Sequence, residues 1–417
     1  MEKCGFSVVK RICCILAMAI GLVGCGNEEI VEEATPTPQI SSMGVEETSF
    51  EYQEQKPYLV IDAMGYGNDE SKILYVDGDV AGETFSIINT ENGSTEFEGI
   101  MYNMKVGEKM ICYGDFSAFD KSGQYVAYMN KYGYSYEFSI GSDTYTNLYN
   151  AIYEKMKNHE SNSIEDRCYM LTVLMLSSEL YGENYTDWVY IVKEVDEIGN
   201  MIAKELENDS LAYSDDEICC LAGMLAKYGA VYYDINEQKA MEKTEIAKQL
   251  YATRELSQKL SDINYYALIH LYSATGDGKY LSRVNEKQWE SGDFTFFADM
   301  EYIMTDQRTD YSKCEQILDN YLDRDAEIFG RNDTIGESFV KDISDEELLS
   351  AIDELMVLGV EDYVYSRNEN EIIRRNFIHY LCGCNIQAQN LLDQKGSGLD
   401  NERVLAKLIF IMGIVKE

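Results

Sequence analysis

Two regimes of apolar spacing divide the chain. Between Lys56 and about Gly141, apolar and polar residues alternate in short runs broken by Gly, Asn and Asp: Tyr58-Leu59-Val60-Ile61, Lys72-Ile73-Leu74-Tyr75-Val76, Thr84-Phe85-Ser86-Ile87-Ile88, Gln124-Tyr125-Val126-Ala127-Tyr128 and Tyr134-Ser135-Tyr136-Glu137-Phe138. Alternation puts successive side chains on opposite faces of a strand, so this stretch predicts a β-sandwich of several short strands. Asn92-Gly93 predicts a tight hairpin, because Asn and Gly accept the positive φ such turns require. Beyond Asp143 the apolar period becomes about 3.6 residues and stays there. It predicts helices over 144–157, 164–181, 186–206, 215–229, 236–258, 260–275, 278–289, 311–330, 345–359, 368–382 and 400–416. Short links between them predict antiparallel helical hairpins wound round one axis.

Ahead of the strands the pattern is different again. Lys3, Lys10 and Arg11 precede an uncharged run from Ile12 to Val23, ending in Leu22-Val23-Gly24-Cys25. A basic start, a short apolar core and small residues are the parts of a secretory signal, and the core is too short to span a bilayer. The ending resembles a bacterial lipobox, which implies cleavage after residue 24, lipid on Cys25 and a place on the extracellular face of the cell membrane. Residues 25–55 are acidic and rich in Thr, Pro and Ser, a composition that predicts a flexible tether. The expected organisation is therefore signal peptide 1–24, tether 25–55, β-sandwich 56–141 and helical domain 142–417.

Charge narrows the partners. Asp and Glu total 74 against 35 Lys and Arg, a net charge of −39. Losing Glu2 and three cations with the signal makes it −41. A nucleic-acid binder needs a cationic stripe to neutralise phosphates, so none is expected as partner. The same balance argues against anionic glycans and leaves a neutral polysaccharide or a protein partner, with the membrane reached through the lipid. With 45% hydrophobic and 12% aromatic residues, the chain buries enough apolar surface to fold. Apart from the lipid-bearing Cys25, seven cysteines remain after processing, an odd number with irregular spacing, which is no disulfide framework. Cys219-Cys220 and Cys382-Gly383-Cys384 read as small apolar residues on helices, and no metal or other cofactor is expected.

Several segments resemble glycoside hydrolase family 9, the cellulases with an N-terminal immunoglobulin-like domain. Asp115-Phe116-Ser117-Ala118-Phe119, Gly123-Gln124-Tyr125, then Gly133, Ser135, Phe138 and Ile140 are similar to that domain's closing pattern. Phe85-Ser86-Ile87-Ile88-Asn89 is similar to its middle strand, and Ala63-Met64-Gly65-Tyr66 to its opening one. Asp143-Thr144-Tyr145-Thr146-Asn147-Leu148 is similar to the entry into the first catalytic helix. Leu271-Tyr272-Ser273-Ala274-Thr275-Gly276-Asp277-Gly278-Lys279-Tyr280-Leu281 and Phe377-Ile378-His379-Tyr380-Leu381-Cys382-Gly383-Cys384-Asn385 resemble later helix ends. The resemblance implies an all-β immunoglobulin-like sandwich followed by an all-α, (α/α)6-like toroid, in a degenerate and shortened form.

The chemistry departs from the family. Inverting hydrolysis needs two carboxyl groups about 6.5–9.5 Å apart, one to protonate the leaving oxygen and one to activate water. The family's Asp-Ala-Gly-Asp base motif is absent before Ile164, where the chain reads Lys157-Asn158-His159-Glu160-Ser161-Asn162-Ser163. Asn401-Glu402 matches the acid's place, making Glu402 the candidate acid. An Asn-Glu at a helix start is also ordinary capping chemistry, and that reading ranks first. Glu160, Glu165 and Asp166 are the acids near the lost motif, with Glu160 and Asp166 the candidate bases. Between Asn385 and Asp400 there is neither His nor Arg, so the family's His-His-Arg clamp is missing too. All three prolines, Pro36, Pro38 and Pro57, fall at or before the first strand, which fits loops trimmed from the helical frame.

Tyr132, Tyr134 and Tyr136 alternate and so share one strand face, but tyrosine favours strands without binding sugars. His270 and His379, inside apolar helices, read as core groups, and Trp188 and Trp289 stand alone in the sequence. The expectation is a surface lipoprotein with a family 9 frame and a decayed site that binds glycan or scaffolds the envelope. Two alternatives stay open: an active inverting β-glycan hydrolase using Glu402, and a structural lipoprotein binding a protein through the helical concave face.

Overall fold

The computed structural model describes residues 57–106, 108–159, 163–181, 187–256, 259–322, 343–365, 370–393 and 398–413. The signal segment, Cys25, the tether and Glu160 lie outside the described residues. Eight strands come first: β1 (Leu59–Val60), β2 (Gly65–Tyr66), β3 (Ile73–Val76), β4 (Thr84–Asn89), β5 (Thr95–Val106), β6 (Lys109–Asp115), β7 (Gly123–Met129) and β8 (Gly133–Ile140).

They form one continuous sheet in the order β1-β3-β6-β5-β4-β7-β8-β2. The short alternating runs predict a two-sheet sandwich; the strand pairing joins its two halves into one curled sheet. The reason lies in β5, whose 12 residues pair with β4 through Thr95–Ile100 and with β6 through Met101–Val106. One long strand thus belongs to both halves, and the sheet curls into a half-barrel that brings β1 back against β7 and β8. Its concave face is the apolar core: Leu59, Leu74 and Val76 from one half meet Phe85, Ile87, Tyr125, Ala127 and Phe138 from the other. The Asn92-Gly93 turn is present, with Gly93 at φ +72° and its N–H donating to Asn89 O at 2.9 Å.

Twelve α-helices follow among the described residues: α1 (Thr144–Lys157), α2 (Ile164–Tyr181), α3 (Trp188–Glu207), α4 (Asp215–Val231), α5 (Glu237–Tyr251), α6 (Asp262–Thr275), α7 (Gly278–Glu286), α8 (Thr295–Met304), α9 (Tyr311–Leu322), α10 (Asp345–Tyr365), α11 (Glu371–Leu381) and α12 (Glu402–Gly413). Even-numbered helices are apolar nearly all round. Cys168–Ser177 of α2 and Ile218–Gly229 of α4 are each buried without a break. A helix with no polar face must be covered on every side. These helices pack in succession, α12 on α2, α2 on α4, α4 on α6, α6 on α8 and α10 on α12. Side chains of α8 and α10 line one small apolar cavity, Phe296 and Met300 facing Val357 and Val360. The six make an inner ring. Outer helices such as α3 bury only a stripe, Ile191, Val195, Ile198 and Ile202.

Two differences from the periodicity have local causes. Helix α8 was not expected, because Thr295-Phe296-Phe297-Ala298-Asp299-Met300 is a short apolar run without a clear 3.6-residue stripe. Helix α5 stops at Tyr251 rather than 258, where no Gly or Pro marks the end in the sequence.

The ring's interior also holds charge. Lys227 of α4, 2% exposed, donates from Nζ to Glu179 of α2 and to Glu301 Oε2 of α8 at 2.6 Å. His270 Nδ1 of α6 stands 3.2 Å from the same Glu301 oxygen. Burial pushes His270 down, with the Glu301 carboxylate opposing it. Burial pushes Glu179 up to about 7, opposed by Lys227 and reinforced by Glu301. A carboxyl with a raised folded-state value loses stabilisation as pH climbs from the ordinary carboxylate range to that value. Stability to urea is therefore expected to fall between about pH 5 and pH 8 in the wild type, and Glu179→Gln to reduce that slope. Lys227→Met strands the buried Glu301 carboxylate and the half-buried Glu179 and is expected to cost about 3–5 kcal/mol in the same assay.

Candidate functional site at one end of the helical ring

Helices attract acids to their first turns, where free N–H groups and the helix dipole favour negative charge. In this ring that rule acts several times at one end. Glu165 and Asp166 open α2, Asp215, Asp216 and Glu217 open α4, Asp262 opens α6 and Glu402 opens α12. Cross-links confirm that they are neighbours. Ser261 Oγ reaches Asp216 Oδ1 at 3.5 Å, and Asp262 Oδ2 accepts from Phe294 N at 2.8 Å. Burial is the main cause that raises Glu165, with Arg403 opposing it and the nearby Asp216 and Glu217 charges adding to it.

Arg403 sits at the centre of these groups. Its Nε donates to Asp166 Oδ1 and its Nη1 to Asp293 Oδ2 at 2.6 Å, while Nη2 lies 4.0 Å from Glu165 Oε2. The guanidinium also rests over Tyr169 of α2, 5.1 Å from the ring centroid, and near Phe294 at 6.0 Å. A planar cation is suited to both tasks, pairing through its edge and stacking through its face. Arg403 thereby ties α12 to α2 and to the residues that lead into α8.

Glu402 is the preceding residue, and its side chain is 6% exposed. Asn401 caps the helix, its Oδ1 accepting from Arg403 N at 2.9 Å and Val404 N at 3.4 Å. Among the described residues, Glu402 Oε1 faces His159 Nδ1 at 3.9 Å, and that nitrogen is buried without a hydrogen bond. His159 belongs to the segment between α1 and α2 where the sequence shows no base motif. Of the residues expected at the site, Glu402, Glu165 and Asp166 are therefore at one end of the ring. Asp166 is not a free base, because Arg403 holds it. His159, Asp293 and above all Arg403 were missed. Only the adjacency of Arg403 to Glu402 hinted at it, and nothing local says which carboxylates it would find.

Other candidates resolve differently. Tyr132 packs on the sheet core and against Tyr58 at 6.0 Å, Tyr134 is exposed, and Tyr136 packs on the cluster of Val60, Tyr75 and Ile111. The three do not form one platform. Trp188 and Trp289 are not alone in space, lying 5.1 Å from Tyr232 and 5.5 Å from Tyr265. All seven described cysteines are buried and free of disulfides.

No family model and no curated protein matches the chain. Solved structures do. A metagenome-derived glycoside hydrolase family 9 endoglucanase superposes with a TM-score of 0.66 at 13% identity, covering 85% of this chain and 98% of that one. A family 9 glycoside hydrolase from Bacteroides ovatus gives 0.61 at 12% identity, covering 86% and 98%. A thermostable endoglucanase from Alicyclobacillus acidocaldarius gives 0.60 at 14% identity, covering 81% and 84%. The chain has a family 9-like fold. At these identities the likeness is one of architecture, and the chemistry must be read from this chain's own residues.

Removing the guanidinium leaves Asp166 and its neighbours unpaired beside a buried Glu402. Arg403→Ala is expected to cost about 1–3 kcal/mol in thermal or urea unfolding, the range for charged hydrogen bonds. Arg403→Lys is expected to recover less than half of that, since an ammonium cannot pair and stack at once.

Proposed function

We propose that this chain is a degenerate, shortened family 9 glycoside hydrolase, with an immunoglobulin-like β-domain and an (α/α)6-like helical domain, that binds glycan without cleaving it. The observation that carries this reading is the double engagement at the ring's acidic end. Asp166, which would have to be free to act as general base, is bound by Arg403, and His159 Nδ1 lies 3.9 Å from Glu402 Oε1. Net charge favours a neutral polysaccharide over an anionic one. The lipobox-like Leu22-Val23-Gly24-Cys25 supports a lipid anchor on the outer face of a bacterial membrane, with the acidic stretch to residue 55 as spacer.

Purified protein incubated with soluble β-glucans is expected to release no reducing ends, and titration with neutral oligosaccharides to give measurable heat. Reducing ends that vanish in Glu402→Gln would establish the active hydrolase instead. No heat with any oligosaccharide would favour a protein partner on the helical concave face. Cys25→Ser is expected to move the protein from the membrane to the soluble fraction; retention in the membrane would overturn the lipid-anchor reading.

A further inference from the structure

Sheet and helices meet across a buried polar seam whose hydrogen-bond directions are over-determined. Asp62, between β1 and β2, accepts through Oδ1 from Met64 N at 2.6 Å and Gly65 N at 3.1 Å. Its other oxygen, Oδ2, lies 2.5 Å from Nδ1 of His379 on α11. On the far side of that ring, Nε2 lies 3.3 Å from the hydroxyl of Tyr145 on α1. Tyr145 spends its single proton on Glu70 Oε2 at 2.5 Å, and Arg375 Nη1 of α11 donates to the same oxygen at 3.0 Å. With the Tyr145 proton committed, its oxygen can only accept from His379. Both imidazole nitrogens therefore face acceptors, and both must carry hydrogen for the network to close. In that state Asp62 and Glu70 balance His379 and Arg375.

The backbone reinforces this geometry. Ala63 N donates to Cys382 O at 3.0 Å, directly after α11. Gly65 runs at φ +106° so close to β8 that an added Cβ would lie 2.0 Å from Ser139 O, which fixes the Asp62 loop. Asp62 is 1% exposed, and the side chains of His379 and Glu70 are 7% exposed. Water therefore cannot readily substitute for a lost partner. Other titratable groups facing the ring are Tyr66, with centroids 5.1 Å apart, Cys384 beside Tyr66 and Asp62, and Glu371, which pairs with Arg375. Lys72 faces Glu70 from the sheet side.

We propose that this seam is a pH-set latch between the β-sheet and the helical ring, closed while His379 holds two ring protons and loosened when it gives one up. Loss of a proton turns a lone pair toward Asp62 or toward the Tyr145 oxygen, and Tyr145 can repair the second case only by abandoning Glu70. Glu70 also lines an open acidic pocket of about 560 Å³ with Asn68, Asp69, Ser117 and Asp120, so the latch reaches a solvent-facing recess. The electrostatics run the same way. Burial opposes charge on His379, but the bond to Asp62 and the charges of Glu70 and Asp62 outweigh it and hold the imidazole above its ordinary value. Burial also raises Asp62. His379, raised in the folded state, loses its contribution as pH rises through its folded value, so the seam weakens in base; protonating the raised Asp62 removes the acceptor for Nδ1, so it weakens in acid as well.

The chain has only three histidines, which makes the test direct. Nitrogen-15 NMR of the wild-type protein, with the His379 signals assigned by their loss in His379→Asn, is expected to show both His379 nitrogens protonated at about pH 7, where a free imidazole is mostly neutral. Hydrogen exchange at the Ala63 amide, corrected for its intrinsic rate, is expected to speed up about tenfold per unit of pH once the ring deprotonates, and to lose that slope in His379→Gln. A neutral, single-tautomer His379 at about pH 6 would overturn the latch, as would an unchanged slope in His379→Gln. If that variant does not fold, the wild-type titration decides alone.

Discussion

Lys227 carries its positive charge into the middle of the inner ring, between Glu179 of α2 and Glu301 of α8, with His270 of α6 beside the same carboxylate. Four inner helices are thus bound to one cluster. A buried ammonium cannot be left unpaired, because its lost hydration is worth several kcal/mol even after relaxation. The cluster therefore restricts the rotation of each helix about its own axis, in a way that interchangeable apolar side chains do not. The remaining inner faces are free to be apolar on all sides. That freedom is visible in α2 and α4, whose middle residues are buried in unbroken runs.

Once the ring's order is set, its acidic end follows from rules that act on each helix alone. Helices α2, α4, α6 and α12 each gain by placing carboxylates in the first turn, and the ring gathers those turns at one end. Such crowding is costly unless countered, and Arg403 counters it by pairing with Asp166 and Asp293 and by covering Tyr169. At this end of the ring Arg403 binds together acids that would otherwise repel one another. Likeness to the family 9 structures is accordingly one of backbone course, with TM-scores of 0.60 to 0.66 at 12 to 14% identity. A frame of packed helices tolerates wholesale side-chain exchange, whereas a catalytic pair tolerates none.

Most helices were legible because a buried stripe repeats every 3.6 residues whatever it packs against. Helix α8 was hidden, since Thr295–Met304 is apolar on too many sides to show a stripe. The strands were legible in the same way, through alternation such as Thr84–Ile88. How those strands assemble was not: β5 and β6 are absent from the runs that alternation picks out, and only the two sets of partners of β5 reveal that it serves both halves of the sheet. His379 read correctly as a core group, yet its partners Asp62 and Tyr145 lie more than two hundred residues away in sequence.

By itself the sequence determined the two regimes, the acidic balance, the lipobox-like start and the absence of an Asp-Ala-Gly-Asp motif before α2. Each is a local property, written in consecutive residues and read by spacing or charge. Only the tertiary structure decided that the sheet is one curled half-barrel, that Asp166 is spent on Arg403, and that His159 comes to face Glu402. Those outcomes depend on which helix ends meet, and closure of the ring sets that over distances the local pattern does not encode.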